Sequence, residues 1–180
     1  EGAVVSQHPA NGFQCSTCHN DLKEFTRYEA KPVTFPSGAV IDSGDPDTNL
    51  CMTCHQGRES TVSVNKLIGD TGDDAQAESL RFLNPHYFAA GATRYGTEAK
   101  GAYEYADKTY VGYFQHGGDD GPSNCTDCHS AHTQEVDWES CTECHEEVTA
   151  KEDLQNIRYN LTDFDGNGDD SEGIYFEIQS

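Results

Sequence analysis

Cys51-Met-Thr-Cys54-His55 is the stretch that decides how this chain folds, because its Cys-x-x-Cys-His pattern recurs three more times. The other copies are Cys15-Ser-Thr-Cys18-His19, Cys125-Thr-Asp-Cys128-His129 and Cys141-Thr-Glu-Cys144-His145. Together the four copies use all eight cysteines. The two thiols of each copy can form thioethers with the vinyl groups of a porphyrin, and the histidine then lies beneath the iron as a ligand. The pattern therefore predicts four covalently attached c-type haems.

Other chemistries that use paired cysteines fit this pattern less well. Zinc ribbons do not need a histidine directly after every second cysteine. A thioredoxin-like redox site needs one such motif in a βαβ setting, not four. Eight cysteines in an exported chain could also form four disulfides, but here every cysteine belongs to the repeated pattern.

The remaining histidines match the haems in number. Four of the eight follow the cysteine pairs, which leaves four for the opposite faces of the irons: His8, His86, His116 and His132. The single methionine, Met52, lies between two haem-linked cysteines, so ligation by methionine is excluded. Bis-histidine ligation at all four haems is the simplest interpretation. The alternative for each spare histidine is an ordinary polar surface residue.

Two of the spare histidines carry further expectations. His132 follows His129 by three residues, too few to reach the opposite face of the same porphyrin, so we expect it to bind a neighbouring haem. His8 lies near the first residue of the chain and precedes Pro9. It either folds back onto its own domain or reaches a haem in the next subunit, and the sequence leaves both alternatives open.

The composition indicates that haems fill much of the interior. Only 34% of the 180 residues are hydrophobic, and 17 are glycines. Porphyrins are flat and apolar, and they remove protein surface from water as core side chains do. We therefore expect a multihaem c-type cytochrome fold that is mostly irregular, with short α-helices and a small β-hairpin. It would form one tetrahaem domain over residues 1–180 with a haem-free C-terminal segment at about 150–180.

Local patterns predict three regular elements. Lys31–Ile41 predicts the β-hairpin, because two apolar runs flank a Pro-Ser-Gly turn. Residues 73–83 predict an α-helix that ends before Pro85. Thr149-Ala-Lys-Glu152 predicts a capping box for a short helix over 150–159.

The charge balance limits the partners of the chain. It has 32 acidic and 11 basic residues, and its formal net charge is −21. This argues against a nucleic-acid partner, which needs a basic face, and against docking on anionic lipid. No apolar run approaches the ~20 residues that span a bilayer, so no membrane span is expected. The sequence has neither an initiator methionine nor a signal peptide, so we expect the processed form of an exported protein.

The segment from Asp163 to Asp169 has the oxygen spacing of a calcium loop. Its candidate Ca²⁺ ligands are Asp163, Asp165, Asn167 and Asp169. An EF-hand would place glutamate at the twelfth position, where this chain has Ile174. The alternative interpretation is a solvated acidic turn.

Several stretches together resemble one family. They are Cys51-Met-Thr-Cys-His55-Gln56-Gly57-Arg58-Glu59-Ser60, Asn84-Pro-His-Tyr-Phe-Ala-Ala-Gly-Ala-Thr93 with Tyr95-Gly96, and the segment Asp163–Gly173. They resemble the tetrahaem outer-surface cytochromes of metal-reducing microbes, the OmcE type, whose members polymerise into extracellular nanowires. The resemblance implies one continuous row of four haems, stacked in alternating parallel and perpendicular pairs. It also implies a histidine donated between subunits, and His8 is best placed for that role.

The leading functional hypothesis is an electron conduit at the cell surface that assembles head to tail into a filament, since heterologous contacts that do not close give open filaments. It would pass electrons between redox partner proteins and an extracellular acceptor. The alternative is a monomeric tetrahaem shuttle in the periplasm. We expect no enzyme, because a multihaem reductase needs an iron with an open position and this chain has enough histidines to cap every iron.

Overall fold

The computed structural model describes residues 12–72, 74–86, 88–158 and 160–179, most of them in turns and irregular segments. The α-helices in this part of the chain are short: Cys15–Cys18 (α1), Pro46–His55 (α2), Thr61–Ile68 (α3), Ala90–Tyr95 (α4) and Ile174–Gln179 (α5). The 3₁₀ helices are Gly96–Glu98, Cys125–Asp127, Trp138–Glu143 and Lys151–Asn156. No helix in the described ranges has the length and apolar character needed to cross a bilayer.

The chain divides into two compact units with the boundary after Asn124. We call Glu1–Asn124 the N-terminal unit and Cys125–Ser180 the C-terminal unit. Each holds two of the four Cys-x-x-Cys-His motifs. The single tetrahaem domain over 1–180 stays a prediction.

The N-terminal unit contains the hairpin predicted over residues 31–41, which is confirmed. Its strands are Val33–Thr34 (β1) and Val40–Ile41 (β2), paired antiparallel with Val33 opposite Ile41. Gly38 has a φ of 90°, which suits glycine in a tight turn, and its N–H donates to the Phe35 carbonyl at 2.8 Å. Because side chains alternate along a strand, Val33, Phe35 and Ile41 are buried on one face.

Helix α2 carries the second haem motif in its last turns. It begins after Asp45, whose carboxylate accepts the Thr48 N–H at 2.7 Å, and proline occupies its first position. Helix α4 packs closely on α2 because residue 91 is glycine. A methyl group at Gly91 would lie 2.9 Å from the His55 carbonyl oxygen. The close approach therefore positions α4 against the turn that holds His55.

A small apolar core joins the hairpin to α2, α4 and the following 3₁₀ helix. Its buried residues are Val33, Phe35, Ile41, Met52, Ala92, Tyr95 and Ala99. Burial of a large apolar side chain contributes about 1.5–3 kcal/mol, so Phe35 and Met52 contribute most among these residues.

Where the structure describes it, the C-terminal unit has a buried ion pair in place of an apolar core. Among its described residues, Val148 is the one buried hydrophobic side chain. Arg158 and Glu177 form a buried ion pair with a distance of 2.7 Å between Nη1 and Oε1. Gly173 lets α5 approach the 3₁₀ helix Lys151–Asn156, since a methyl group there would overlap the Gln155 carbonyl oxygen.

The α-helix predicted over 73–83 is wrong for residues 74–83, which are irregular, while Asp73 lies outside the described residues. Leu80 is 37% exposed and Phe82 is 84% exposed. A helix this short is marginal in water unless an apolar face packs on something. The apolar spacing that predicts the helix consists of Ala75, Leu80 and Leu83, and of these only Leu83 is half-buried, so the spacing alone does not hold a helix.

The short helix predicted over 150–159 is a 3₁₀ helix limited to Lys151–Asn156. The predicted capping box between Thr149 and Glu152 is wrong. The helix begins one residue later, after Ala150, whose side chain makes no capping hydrogen bond, and the acceptor at the third helical position is Asp153. Its Oδ2 accepts the N–H groups of Thr149 and Ala150 at 2.8 and 2.9 Å.

Candidate haem-binding sites

Each Cys-x-x-Cys-His motif is wound into a single turn. The histidine N–H donates to the carbonyl of the first cysteine at 2.9 Å in the motifs of His19, His129 and His145. The motif of His55 lies within α2 and has the same helical winding. Residues three apart on such a turn share one face, so the two thiols of each motif lie side by side next to the imidazole. The winding fits attachment of both thiols to one porphyrin.

Two of the four histidines are anchored by backbone carbonyls. The Nδ1 of His19 lies 2.8 Å from the Phe25 carbonyl oxygen, and the Nδ1 of His55 lies 2.5 Å from the Phe88 carbonyl oxygen. A carbonyl only accepts, so Nδ1 carries the proton in both rings and Nε2 carries the lone pair. Such a bond fixes the tautomer and orientation of a metal-binding imidazole. The anchors therefore direct Nε2 of each ring to act as the iron ligand.

The two anchoring phenylalanines share an unusual backbone. Phe25 has a φ of 54° and Phe88 a φ of 57°, a left-handed conformation that is rare for bulky residues. Backbone strain of this kind persists only where the surroundings enforce it, and it is concentrated at functional sites. Both rings are exposed, at 60% and 74%. Sequence reasoning missed these residues, because neither a left-handed phenylalanine nor its carbonyl direction has a sequence signature.

The histidine of the fourth motif has a different anchor. Its Nδ1 lies 3.1 Å from Oε1 of Glu147, a carboxylate rather than a carbonyl. The backbone N–H of Glu147 itself and the imidazole of His145 hold the pKa of this carboxyl below its usual range. The sequence contains Glu147, but nothing in its pattern predicts this contact.

The first and third motifs are built alike. His19 forms an isolated antiparallel bridge with Arg27, and His129 forms one with Val136. In both copies the carbonyl of the second cysteine accepts an N–H from the residue after the bridge. The Cys18 carbonyl accepts from Tyr28 at 3.0 Å, and the Cys128 carbonyl accepts from Asp137 at 2.8 Å. Gln134 has a φ of 60° at the position that corresponds to Phe25. The connecting segments share little sequence, so this repetition is visible only in the structure.

The predicted opposite-face histidines occupy varied positions. His8 lies outside the described residues. His86 is half-buried, has a φ of 72°, and donates its backbone N–H to Asn84 Oδ1 at 2.8 Å. His116 and His132 are exposed. The assignment of these histidines to particular irons stays a prediction.

A groove of about 390 Å³ lies beside His19. Phe25 forms part of its lining, and Arg27 and Asp47, paired at 3.0 Å, form another part. The apolar ring next to His19 suits the face of a porphyrin, whereas Arg27 is already paired and two further carboxylates, Glu24 and Glu29, also line the groove. Large exposed apolar side chains elsewhere are also unusual for water-facing surface, including Phe13 at 67% and Phe114 at 64%. The residues present therefore fit covalently held haem.

The acidic loop is arranged differently from the predicted calcium set. Ligand oxygens of Asp163, Asp165 and Glu177 all lie within 4.8 Å of one another. The other two predicted ligands bond locally: the side-chain amide of Asn167 donates to Asp165 and Glu172, and Asp169 accepts from Ser171. Sequence reasoning missed Glu177, because it lies on α5 beyond the loop.

Glu177 already has partners that organise this loop. Its Oε2 accepts the N–H groups of Phe164 and Asp165 at 2.8 and 3.2 Å, and its Oε1 accepts from Arg158. Burial by itself raises the pKa of Glu177. Arg158 and the two N–H groups together lower it by more, so the pKa lies below its usual range. Calcium binding at Asp163, Asp165, Asn167 and Asp169 stays a prediction.

Comparison with known proteins finds polyheme cytochromes that are similar to part of this chain. The chain is 33% identical over 111 residues to the C-type polyheme cytochrome OmcB of Geobacter sulfurreducens, covering 53% of this chain and 13% of that protein. It is 34% identical over 111 residues to the C-type polyheme cytochrome OmcC of the same organism, with the same coverage. The chain therefore spans about 13% of the length of the curated relatives it matches. No protein-family model and no solved structure matches the chain.

These similarities support a multihaem c-type cytochrome with covalently bound haem c that functions in electron transfer. They do not distinguish the OmcE type from other multihaem cytochromes. The four wound motifs and the anchored imidazoles are consistent with the same class.

Proposed function

We propose that this chain carries electrons along a row of four bis-histidine c-type haems, as the subunit of an extracellular filament that conducts electrons to external acceptors. The observation that carries the haem assignment is the anchoring of His19 and His55, whose Nδ1 protons are held so that Nε2 is the donor nitrogen. This is the tautomer that an iron-binding imidazole needs, and each of the two rings directly follows a Cys-x-x-Cys pair.

When bound, haem supplies the one-electron iron couple. The residues of this chain do the rest. The thiols fix each ring in place, and the anchored imidazoles need not reorient when the iron changes oxidation state. Two imidazoles per iron leave no coordination position for a substrate, so electron carriage is favoured over an enzymatic role. The absence of a spare methionine keeps the potentials low.

The resemblance to the OmcE type supports the filament. In that arrangement His8 closes a haem of the neighbouring subunit, and repeated head-to-tail contacts give an open polymer. Covalent haem attachment of this kind takes place outside the cytoplasm, which supports export to the cell surface. The alternative is a monomeric tetrahaem shuttle in the periplasm, with the same ligands.

Intact-mass spectrometry combined with electron paramagnetic resonance tests the haem assignment. We expect the mass of the natively produced protein to correspond to four attached haems, all low-spin when oxidised. A smaller haem number would contradict the four-haem row. A high-spin signal would indicate an iron with an open position and would favour a reductase.

Negative-stain electron microscopy of the native protein tests the filament. We expect filaments, and we expect His8→Ala to give isolated particles with one high-spin haem per subunit. Gln7→Ala is the matched control and should still assemble. Isolated particles of the unaltered protein across a range of salt and calcium concentrations would contradict the filament and favour the periplasmic shuttle.

A further inference from the structure

The acceptors that anchor the haem-linked histidines are not equivalent. His19 and His55 donate to neutral backbone carbonyls, those of Phe25 and Phe88. His145 donates to the carboxylate of Glu147, with 3.1 Å between Nδ1 and Oε1. Nδ1 therefore donates to a neutral carbonyl in the motifs of His19 and His55, and to a negatively charged carboxylate in the motif of His145.

The Glu147 contact is held by a local turn. The N–H of Val148 donates to the His145 carbonyl at 3.0 Å, and Val148 is buried. The turn sets Glu147 two residues from the imidazole, at a distance its side chain can span. Because the side chain of Val148 is buried, it holds the backbone of this turn next to the imidazole of His145.

A carboxylate pulls the Nδ1 proton more strongly than a carbonyl does, because a charge-assisted hydrogen bond is about twice as strong as a neutral one. The imidazole gains electron density and becomes a more basic iron ligand. A more basic ligand stabilises the oxidised iron, which carries more positive charge. Hydrogen bonds to ligands and net charge near the iron both set the reduction potential.

We propose that Glu147 is a positioning residue that sets the potential of the haem attached at Cys141 and Cys144 below those of the haems on His19 and His55. This inference rests on the proposed haem-binding function. It makes the haems unequal: the haem on His145 retains an electron less well than the haems on His19 and His55, and in an electron-transfer chain it passes that electron on to them.

Redox titration of the haem-loaded protein tests the proposal with two substitutions that keep the size of the side chain and remove its charge. Glu147→Gln keeps an oxygen that can accept from Nδ1 but removes the charge. Glu146→Gln removes the same charge one residue away, at an exposed side chain. We expect Glu147→Gln to raise the midpoint potential of one haem out of four, and Glu146→Gln to leave all four close to their original values.

A spectroscopic readout separates ligand basicity from simple loss of charge. We expect Glu147→Gln to increase the g anisotropy of one low-spin signal in the electron paramagnetic resonance spectrum, because a less basic imidazole gives a weaker axial field. Glu147→Asp, with a shorter reach, should give an intermediate potential, and it replaces Glu147→Gln if that variant loads poorly. Equal shifts in the Glu146 and Glu147 variants, or no shift, would overturn the proposal.

Intact mass is measured on every variant. Fewer than four attached haems in the unaltered protein would contradict the proposed function itself. Four haems with potentials unchanged by Glu147→Gln would contradict only the role of Glu147.

Discussion

The two units of this chain achieve stability by opposite means. The N-terminal unit buries a small apolar core of hairpin and helix residues, with Phe35 and Met52 fully enclosed. The C-terminal unit buries Val148 and the ion pair of Arg158 with Glu177. Both units nevertheless carry two haem motifs.

The difference in apolar burial between the two units indicates which unit we expect to need a cofactor for its stability. A unit with its own apolar interior can hold a haem motif on a packed helix, as α2 does. We expect a unit without one to depend more on the apolar surface that bound porphyrins would supply. Arg158 fixes the geometry of the C-terminal unit, because it also donates to the backbone carbonyls of Asn160, Thr162 and Glu172. Hydrogen bonds to a buried charge give specific geometry but little net stability.

The largest expected effect comes from removing the haem attachments of one unit at a time. Replacing Cys125, Cys128, Cys141 and Cys144 by serine should abolish hydrogen-exchange protection throughout residues 125–179, because little protein core remains to hold them. Replacing Cys15, Cys18, Cys51 and Cys54 by serine should leave protection in β1, β2 and α4. Mass-spectrometric hydrogen exchange measures both. Equal loss in the two variants would show that the units do not differ in this way.

The next largest effect concerns the apolar core. Phe35→Ala should destabilise the N-terminal unit by about 3–5 kcal/mol, since it removes a fully buried ring and leaves a cavity. Urea unfolding followed by peptide-resolved hydrogen exchange measures the loss. Emission from Trp138, the single tryptophan and part of the C-terminal unit, should report an unchanged transition there.

Val40→Ala is the matched control for Phe35→Ala. Val40 is on the same hairpin but is 66% exposed. Its replacement should change stability by less than about 0.5 kcal/mol. A large effect of Val40→Ala would mean that the outer face of the hairpin is covered in the native protein.

The smallest expected effect is an acid sensitivity confined to the C-terminal unit. The folded-state pKa of Glu177 lies below its ordinary value of 4.5. The carboxylate therefore stabilises the fold above pH 4.5, and this stabilisation is lost as the pH falls through the lower, folded-state pKa. Glu177→Gln should melt at a lower temperature than the unaltered protein at pH 7 and should show a weaker decline in acid.

Glu152→Gln is the control for this acid sensitivity, because Glu152 is exposed on the 3₁₀ helix that packs against α5. It should keep the acid decline of the unaltered protein. Identical pH profiles for Glu177→Gln and Glu152→Gln, recorded by thermal melts between pH 3 and pH 7, would rule out the ion pair as the cause.

Several features could be predicted from the sequence because their causes are local. The hairpin over 31–41 follows from apolar runs around a turn, and the four haem motifs follow from residue spacing. The helix predicted over 73–83 failed for the opposite reason. Its apolar spacing is local, but a short helix needs a partner surface, and Ala75 and Leu80 on the expected apolar edge are exposed.

The sequence by itself determined which groups are available: four cysteine pairs, four following histidines and few apolar residues, which together predict covalently bound haem. Only the tertiary structure decided how the imidazoles are held. The carbonyls of Phe25 and Phe88 and the carboxylate of Glu147 reach Nδ1 through backbone turns and side-chain directions that no spacing rule encodes. Residue spacing encodes the cysteine pairs, whereas the orientation of each imidazole depends on backbone conformation and, for His55, on a carbonyl 33 residues away in the chain.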